Sequence, residues 1–208
     1  IAELTAVLET YSADGDTYNI AHASDKLGVT LGLAGRLAEG ATALEQARQR
    51  WTKLGNMHRL IETLINLGNI YYLQGDNENS EAVARQGLEK ARALGAVRSE
   101  TYLLASFGDI KRQAGEYAAA LELYNSCLEQ SWSLDDAYIR IYVTDAIAAT
   151  YQLMGDLQSG ESWSARATAE AESRGGAVEI GICLITAGLF KRQQGELKDA
   201  AALLVQAI

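Results

Sequence analysis

The stretch of sequence that decides the fold is Asn66-Leu67-Gly68-Asn69-Ile70-Tyr71, which runs on to Gly75-Asp76. A glycine followed by an acidic residue returns every 40 residues, as Gly75-Asp76, Gly115-Glu116, Gly155-Asp156 and Gly195-Glu196. Gly35, followed by Arg36, keeps the glycine one period earlier. Self-similarity at a fixed period of this length is the signature of a repeat protein, in which one structural unit stacks on the next.

Small residues recur in the same register and divide each repeat into two helices. Seven residues before each turn glycine stand Gly28, Gly68, Gly108, Ala148 and Gly188, and five residues after it stand Gly40, Ser80, Ala120, Gly160 and Ala200. The apolar residues around them are spaced by three and four, which is the periodicity of a helix with one buried face. Small side chains allow two antiparallel helices to approach closely. Each repeat therefore predicts a helix, a tight turn at the glycine and a second helix.

The register divides the chain into five repeats, 17–56, 57–96, 97–136, 137–176 and a shortened 177–208, and residues 1–16 fit it as the second helix of a truncated repeat. We therefore predict a single helical domain over residues 1–208, with eleven helices and no strand. Because both ends fall inside repeats, we expect the sequence to be a piece of a longer protein. Apolar residues near the ends, such as Val7 and Leu204, should be partly exposed and support weak homo-oligomers.

Composition and charge narrow the class of protein. The chain has no proline and 48% of its residues are hydrophobic, which favours a folded, all-α protein without helix breaks. The formal net charge of −9 argues against direct contact with nucleic acid or an anionic membrane, because both require a basic surface. No apolar run is long enough to span a bilayer. Cys127 and Cys183 are predicted to be small core residues in a reducing cytoplasm.

The quoted residues resemble the tetratricopeptide repeat family, and the resemblance covers essentially the whole chain. The family pattern places a small residue, a tyrosine and a turn glycine at the offsets seen in Gly68, Tyr71 and Gly75. The period of 40 departs from the family's usual length of about 34 residues. HEAT and armadillo repeats have periods near this length, but they fit the turn glycine and the small-residue register less well. The resemblance implies an all-α, right-handed superhelix of antiparallel helix hairpins.

Two subgroups with repeats of this length are similar: sensor arms of bacterial transcription regulators of the MalT and LuxR type and, to a lesser degree, adaptors of the LGN and Pins type. The Ala- and Gln-rich sequence, as in Ala91-Arg92-Ala93-Leu94-Gly95, resembles the bacterial group more. The resemblance implies a cytoplasmic interaction or sensor module that binds a peptide, a protein or a small inducer. The alternative is a structural spacer or oligomerisation scaffold without a ligand of its own.

The resemblance also implies where a partner would bind. In tetratricopeptide stacks the first helix of each hairpin lines the inner, concave groove, and the matching positions are Glu62, Asn66, Asn69, Tyr72, Tyr102, Asp109, Arg112, Tyr142, Asp145, Gln152 and Arg192. Asparagine can both donate to and accept from a peptide backbone, and arginine can bind a carboxylate through two hydrogen bonds. Because exposed groove residues contribute little to folding, alanine at Asn69 or Arg112 is expected to weaken binding without lowering the melting temperature.

Catalytic and metal-binding motifs are not indicated. The sequence has no phosphate-binding Gly-Lys-Ser/Thr loop, no His-Glu-x-x-His and no Gly-x-Ser-x-Gly, and its two histidines, His22 and His58, have no cysteine nearby. We therefore predict no enzymatic activity, no metal and no cofactor. The carboxylate clamp of some tetratricopeptide proteins requires a lysine where this chain has Asp25 and Ile65, which argues against a clamp. The tryptophans, Trp51, Trp132 and Trp163, are predicted to pack between repeats or on the convex surface.

The fourth hairpin is predicted to be the weakest of the stack. Its second helix has Ser164 where other repeats have Leu44, Tyr124 or Leu204, and Arg174 where others have a leucine. Gly160 within this helix would cost up to about 1 kcal/mol, and Gly175-Gly176 loosens the link to the next repeat. Trp163 is expected to cover part of the space that Ser164 leaves.

Overall fold

The computed structural model describes residues 1–207, and in that range it contains eleven α-helices and no strand. The helices are α1 (Ala2–Asp14), α2 (Thr17–Leu33), α3 (Leu37–Leu54), α4 (Met57–Leu73), α5 (Asn77–Leu94), α6 (Val97–Gln113), α7 (Tyr117–Ser133), α8 (Ala137–Met154), α9 (Leu157–Arg174), α10 (Ala177–Gln193) and α11 (Leu197–Gln206). Consecutive helices pack as hairpins, as α2 does on α3, α4 on α5 and α8 on α9. The predicted all-α fold of helix hairpins is confirmed.

At the start of several helices, the side chain of the preceding residue accepts a hydrogen bond from a backbone N–H of the first turn. Asp76 accepts from the backbone N–H of Asn79 at 3.1 Å, and Asn56 accepts from that of Arg59 at 3.2 Å. Asp16, Asp136 and Asp156 cap α2, α8 and α9 in the same way. These caps satisfy N–H groups that have no partner inside the helix. A polar side chain directly after a turn therefore fixes where the next helix starts.

The repeat glycines end the helices. Positive φ angles occur at Gly35, Gly75, Gly115, Gly155 and Gly195 inside the hairpins, and at Gly15, Gly55 and Gly95 between them. Glycine adopts this left-handed conformation without the steric cost that a Cβ adds. Two of the turns between hairpins depart from this pattern. Asp135 has a φ of 47° although it is not glycine. Gly175 is extended, with a φ of −86° and a ψ of 169°.

The chain forms two compact units, unit 1 (Ile1–Ser106) and unit 2 (from Phe107 onward). In unit 1, Trp51 and Leu64 pack with the alanines of α2 and α3 in a buried cluster. Leu44 lies over Gly28, where an added Cβ would come within 2.6 Å of Leu44 Cγ. The small residues of the repeat are therefore the contact points of the two helices in a hairpin. The single domain over residues 1–208 stays a prediction.

In unit 2, α10 packs on the second helix of the fourth hairpin, α8 and α9, whose weakness stays a prediction. Phe190 of α10 packs its ring directly onto Gly160, and a Cβ there would lie 2.4 Å from Phe190 Cζ. Phe190 is only 2% exposed, so a side chain at position 160 would have to displace this buried ring. Gly160 is therefore required by packing. Trp163, the residue expected to cover part of the space that Ser164 leaves, stacks on Arg166 at 4.1 Å.

Apolar residues near the two ends are partly exposed, as the sequence predicted. Val7 is 41% exposed, and Leu203 and Leu204 are half-buried. Leu4 and Leu8 are also half-buried and pack against buried residues of α2 and α3. The weak homo-oligomers expected from this exposure stay a prediction.

Candidate functional site

The first helices of consecutive hairpins lie side by side within each unit. In unit 1, α2 contacts α4, and in unit 2, α8 contacts α10. We call the surface that these helices form the first-helix face of the unit. All predicted groove residues lie on first helices, namely α4, α6, α8 and α10.

The first-helix face of unit 1 contains a depression of about 60 Å³ between α2 and α4, which we call the α2–α4 depression. Two predicted residues, Glu62 and Asn66, line it. Its other lining residues are His22, Asp25, Lys26, Val29 and Arg59. Groups of both charge signs and an amide therefore meet in one small space.

The carboxylates of the α2–α4 depression already have partners within the protein. Arg59 Nη1 donates to Glu62 Oε2 at 2.7 Å. Asp25 accepts a hydrogen bond from the indole N–H of Trp51 at one oxygen and from the Thr63 hydroxyl, at 2.7 Å, at the other. Burial raises the pKa of Asp25, and the bonds from Trp51 and Thr63 oppose that rise. These two carboxylates are therefore held by the fold.

Lys26 and Asn66 differ, because within residues 1–207 their side chains form no hydrogen bond or ion pair. Lys26 is exposed and Asn66 is half-buried. They stand at the same register position of consecutive repeats. Asn69, also exposed, lies one helical turn further along α4. The depression thus offers one cationic donor and an amide that can both donate and accept.

In unit 2 the buried Asp109 of α6 holds three neighbouring side chains. It accepts hydrogen bonds from the hydroxyls of Tyr124, at 2.7 Å, and Tyr142, and Arg112 Nη2 lies 3.2 Å from its Oδ1. Burial raises the pKa of Asp109, whereas Arg112 and the two tyrosines oppose the rise. The pKa of Tyr142 is raised well above its usual value by burial and by the neighbouring Asp109. The carboxylate is therefore satisfied inside the protein.

The first-helix face of unit 2 also contains a depression, which lies between α8 and α10 and which we call the α8–α10 depression. Its volume is about 10 Å³. It is lined by Tyr138, Ile141, Tyr142, Asp145, Glu179 and Ile182. Asp145 is only 7% exposed, and its Oδ2 accepts from the Thr186 hydroxyl at 2.9 Å. Its Oδ1 is buried without a hydrogen-bond partner. Burial raises the pKa of Asp145 to about 6.

The structure brings together some of the predicted groove residues. Glu62 and Asn66 share the α2–α4 depression, and Tyr142 and Asp145 share the α8–α10 depression. The predicted residues that line neither depression are Asn69, Tyr72, Tyr102, Asp109, Arg112, Gln152 and Arg192. Because Arg112 forms an ion pair with the buried Asp109, removing it should destabilise the fold. We therefore expect alanine at Arg112 to lower the melting temperature, in contrast to the expectation from the sequence.

Several residues of the two depressions are not among those predicted from the sequence. His22 and Lys26 stand one period before Glu62 and Asn66, so the same register applied to the first repeat would have found them. The repeat register does not indicate Glu179 as a groove residue. Its side chain accepts a hydrogen bond from the Gly176 N–H at 2.8 Å at the start of α10. That role is read as a helix cap, and only the packing of α8 against α10 brings Glu179 to the depression.

Two larger grooves involve the second helices of unit 2. One, of about 380 Å³, lies between α7, α8 and α9 and is bordered by Trp132. Trp132 is 62% exposed and stacks on the buried guanidinium of Arg140 at 4.2 Å. The other groove, of about 330 Å³, lies between α9 and α10 beside Ser164 and Phe190. In unit 1, by contrast, Trp51 is fully buried.

The cysteines are buried groups rather than nucleophiles. Burial raises the pKa of both Cys127 and Cys183 to about 12, so their thiols stay protonated at neutral pH. Across residues 1–207, no three His, Cys, Asp or Glu side chains are grouped closely enough to hold a metal ion. None of the helices in that part of the chain is long and apolar enough to cross a membrane.

Comparison with protein families and solved structures identifies similar folds. Residues 16–93 match the family model described as tetratricopeptide repeat. No curated protein sequence matches the chain. Among solved structures, the chain is similar to BtubC (BKLC) from P. vanneervenii, with a TM-score of 0.73 and 16% identity over 99% of this chain and 87% of that one.

Two further structures are similar at 14% identity with a TM-score of 0.81. NprR in complex with its cognate peptide NprX matches 99% of this chain, which spans 61% of NprR. A Rap protein complexed with competence and sporulation factor matches 92% of this chain, which spans 54% of Rap. At such low identity the likeness concerns the fold. Residues 16–93 thus match tetratricopeptide repeats, and the chain has the all-α helical-repeat fold of these structures.

Proposed function

We propose that this chain is a protein-interaction module that binds an extended segment of a peptide or protein on the first-helix face of unit 1. The site is the α2–α4 depression together with Asn69. The observation that carries the proposal is that Lys26 and Asn66 are unpaired, whereas the carboxylates beside them already have partners. Polar groups left without partners on an otherwise satisfied surface are available to a ligand.

The three side chains match the chemistry of a peptide backbone. The Asn66 amide can donate to a backbone carbonyl and accept from a backbone N–H, and Asn69 can do the same one turn further along α4. Residues three apart on a helix lie on the same face, so one extended segment can contact both. Lys26 adds a donor for a carbonyl or a carboxylate. Such contacts hold the main chain, and neighbouring side chains set the sequence preference.

On the first-helix faces, the size of the depressions favours an extended chain over a small inducer, whereas the grooves of about 380 Å³ and 330 Å³ involve the second helices of unit 2. Pockets that enclose drug-sized molecules have volumes of about 300–1,000 Å³. The α2–α4 depression and the α8–α10 depression measure about 60 Å³ and 10 Å³. An extended segment that lies across the face needs only small recesses for single groups.

We further propose that the module acts in the cytoplasm as the sensor arm of a bacterial regulator of the MalT or LuxR type. The similarity of its fold to NprR, solved with its cognate peptide NprX, supports a peptide as the class of ligand. The Rap protein solved with competence and sporulation factor supports the same class.

Selection from a random-peptide display library on the immobilised full chain tests the proposal, with fluorescence anisotropy to measure the Kd of a selected peptide. Asn66→Ala is expected to raise Kd by about tenfold or more, as loss of a central interface residue does. The matched control, Asn125→Ala, removes the same side chain from an exposed position on α7 and should leave Kd unchanged.

Two results would count against peptide binding at this site. A spacer or scaffold without a ligand predicts no enrichment of any peptide above a bare surface. Equal Kd values for Asn66→Ala and Asn125→Ala would show that Asn66 does not contact the peptide. The α2–α4 depression would then not be the binding site.

A further inference from the structure

Asp25 and Asp145 stand at the same register position three repeats apart, but only Asp25 has both carboxylate oxygens hydrogen-bonded. The two donors to Asp25 are Trp51 and Thr63. Three repeats later, Ala171 and Cys183 stand at the positions of those donors. The substitutions remove both of the hydrogen bonds that the first repeat provides.

The fold replaces only one of these bonds. Thr186 donates to Asp145 Oδ2, while Oδ1 stays buried and unpartnered. Arg112 of α6 acts electrostatically on the Asp145 carboxylate and opposes the rise of its pKa, but it donates no hydrogen bond to Oδ1. A buried carboxylate oxygen without a donor is costly, and the cost persists until a donor from outside the chain satisfies it. Asp145 lines the α8–α10 depression, so such a donor would enter there.

We propose that the α8–α10 depression binds the ammonium group of a lysine side chain from the partner. The volume of about 10 Å³ is enough for one group the size of a water molecule, which fits an ammonium and excludes a guanidinium. Asp145 and Glu179 supply two carboxylates to it, and the ring of Tyr138 with the side chain of Ile182 forms an apolar wall for the methylene stem. The proposal rests on the proposed function for the partner itself.

The charges around the depression favour a cation. From α8 it is faced by Asp145, Tyr138 and Tyr142, and from α10 by Glu179. On α6, Arg112 forms an ion pair with Asp109 and also acts electrostatically on Asp145. The residues that line the depression include two carboxylates and no cation. Tyrosine faces also attract an ammonium group.

Nuclear magnetic resonance of the isotope-labelled full chain tests the proposal, with Nα-acetyl-lysine-N-methylamide as the probe. We expect its addition to shift resonances of residues 138–145 and 179–186. Asp145→Asn should weaken binding of this probe by about tenfold or more, and Asp135→Asn, at an exposed carboxylate, should not weaken it. The equivalent capped arginine and capped norleucine should bind at least about tenfold more weakly than capped lysine.

If the lysine probe causes no resonance shifts in α8 and α10, the lysine assignment is overturned. A bound water, rather than an ammonium group, would then be the partner of Asp145 Oδ1. Equal binding of capped arginine, or unchanged binding by Asp145→Asn, overturns it as well. Tighter binding of glycinamide than of capped lysine would assign the depression to a peptide N-terminus instead. If Asp145→Asn does not fold, Glu179→Gln takes its place, with weaker binding expected and unchanged binding overturning the proposal. The probe does not contact Asn66. Failure of lysine binding in the α8–α10 depression can therefore be distinguished from failure of peptide binding in the α2–α4 depression.

Discussion

The ring of Tyr124 packs directly against Gly108, and a Cβ added at Gly108 would lie 2.4 Å from Tyr124 Cε1. Tyr124 is fully buried and its hydroxyl is hydrogen-bonded to Asp109. The ring therefore cannot move aside without breaking that bond. Gly68 holds the same position in the second repeat, but a Cβ there would meet Val83 Cγ2 at 3.4 Å, which is an ordinary contact.

We expect Gly108→Ala to lower the free energy of unfolding by about 1–3 kcal/mol, because overpacking displaces the Tyr124 ring. Gly68→Ala is the matched control and should be neutral or stabilising by up to about 1 kcal/mol, since alanine is the better helix former. Urea denaturation of both variants measures the difference. A Gly108→Ala variant as stable as Gly68→Ala would show that the contact does not constrain the fold.

Asp135 offers a simple stabilising substitution. Its φ of 47° is the conformation that glycine adopts at the equivalent positions Gly55 and Gly95. We expect Asp135→Gly to raise the free energy of unfolding by about 1 kcal/mol, because the left-handed conformation carries a steric cost for a residue with a Cβ. The exposed ion pair with Arg174, at 3.4 Å, contributes little against this gain. Chemical denaturation tests it, and a loss of stability would mean that the aspartate side chain supports the turn.

The last turn of α9 is expected to open more easily than that of α5. Gly95 ends α5 in the left-handed conformation, with Gly95 and Ala96 both donating back into the helix, whereas Gly175 is extended and only its own N–H bonds back, to Ala171. Both helices bury only small side chains, so the size of the buried residues differs little between them. Amide hydrogen exchange should be faster in residues 157–174 than in 77–94. Equal or stronger protection of α9 would refute this.

The repeat register predicts the helices and turns of this protein well because each is set by residues close in sequence. The glycines at 35, 75, 115, 155 and 195 all adopt the left-handed conformation that ends a first helix. Asp76 and Asp156, directly after two of them, cap the next helix. Local steric and hydrogen-bonding preferences are sufficient for these features, so a single sequence reveals them.

The state of the groove residues could not be predicted because it depends on residues distant in sequence. Asp109 lies on a first helix, as predicted, but it is satisfied by Tyr124 and Tyr142, which lie on two other helices. Asp145 is buried beside Thr186, 41 positions away. Register places a residue on a helix face, whereas its burial and its partners follow from the neighbouring hairpins. The role of Phe190 against Gly160 was missed for the same reason.

Ionisation of Asp145 should make stability depend on pH. Burial raises its pKa from 3.8 to about 6, so the folded state binds this proton more tightly than the unfolded state does. Stability should therefore fall as pH rises from about 4 to 6, by an amount on the order of 3 kcal/mol, and the cost should be complete above that range. Unfolding of the wild type and of Asp145→Asn measured across this range isolates the effect, because Asp25 and Asp109 are common to both. The advantage of Asp145→Asn should grow with rising pH, and a constant difference would contradict the assignment.

Binding on the first-helix face of unit 1 is tested most directly by amide hydrogen exchange of the full chain with and without a selected peptide. Protection is expected in α2 and α4, around Lys26, Asn66 and Asn69. Asn69→Ala should weaken that protection and leave the melting temperature unchanged, because its exposed side chain contributes to binding and not to folding. Protection confined to α7 and α9, beside the groove of Trp132, would place the partner on the second helices and contradict binding on the first-helix face of unit 1.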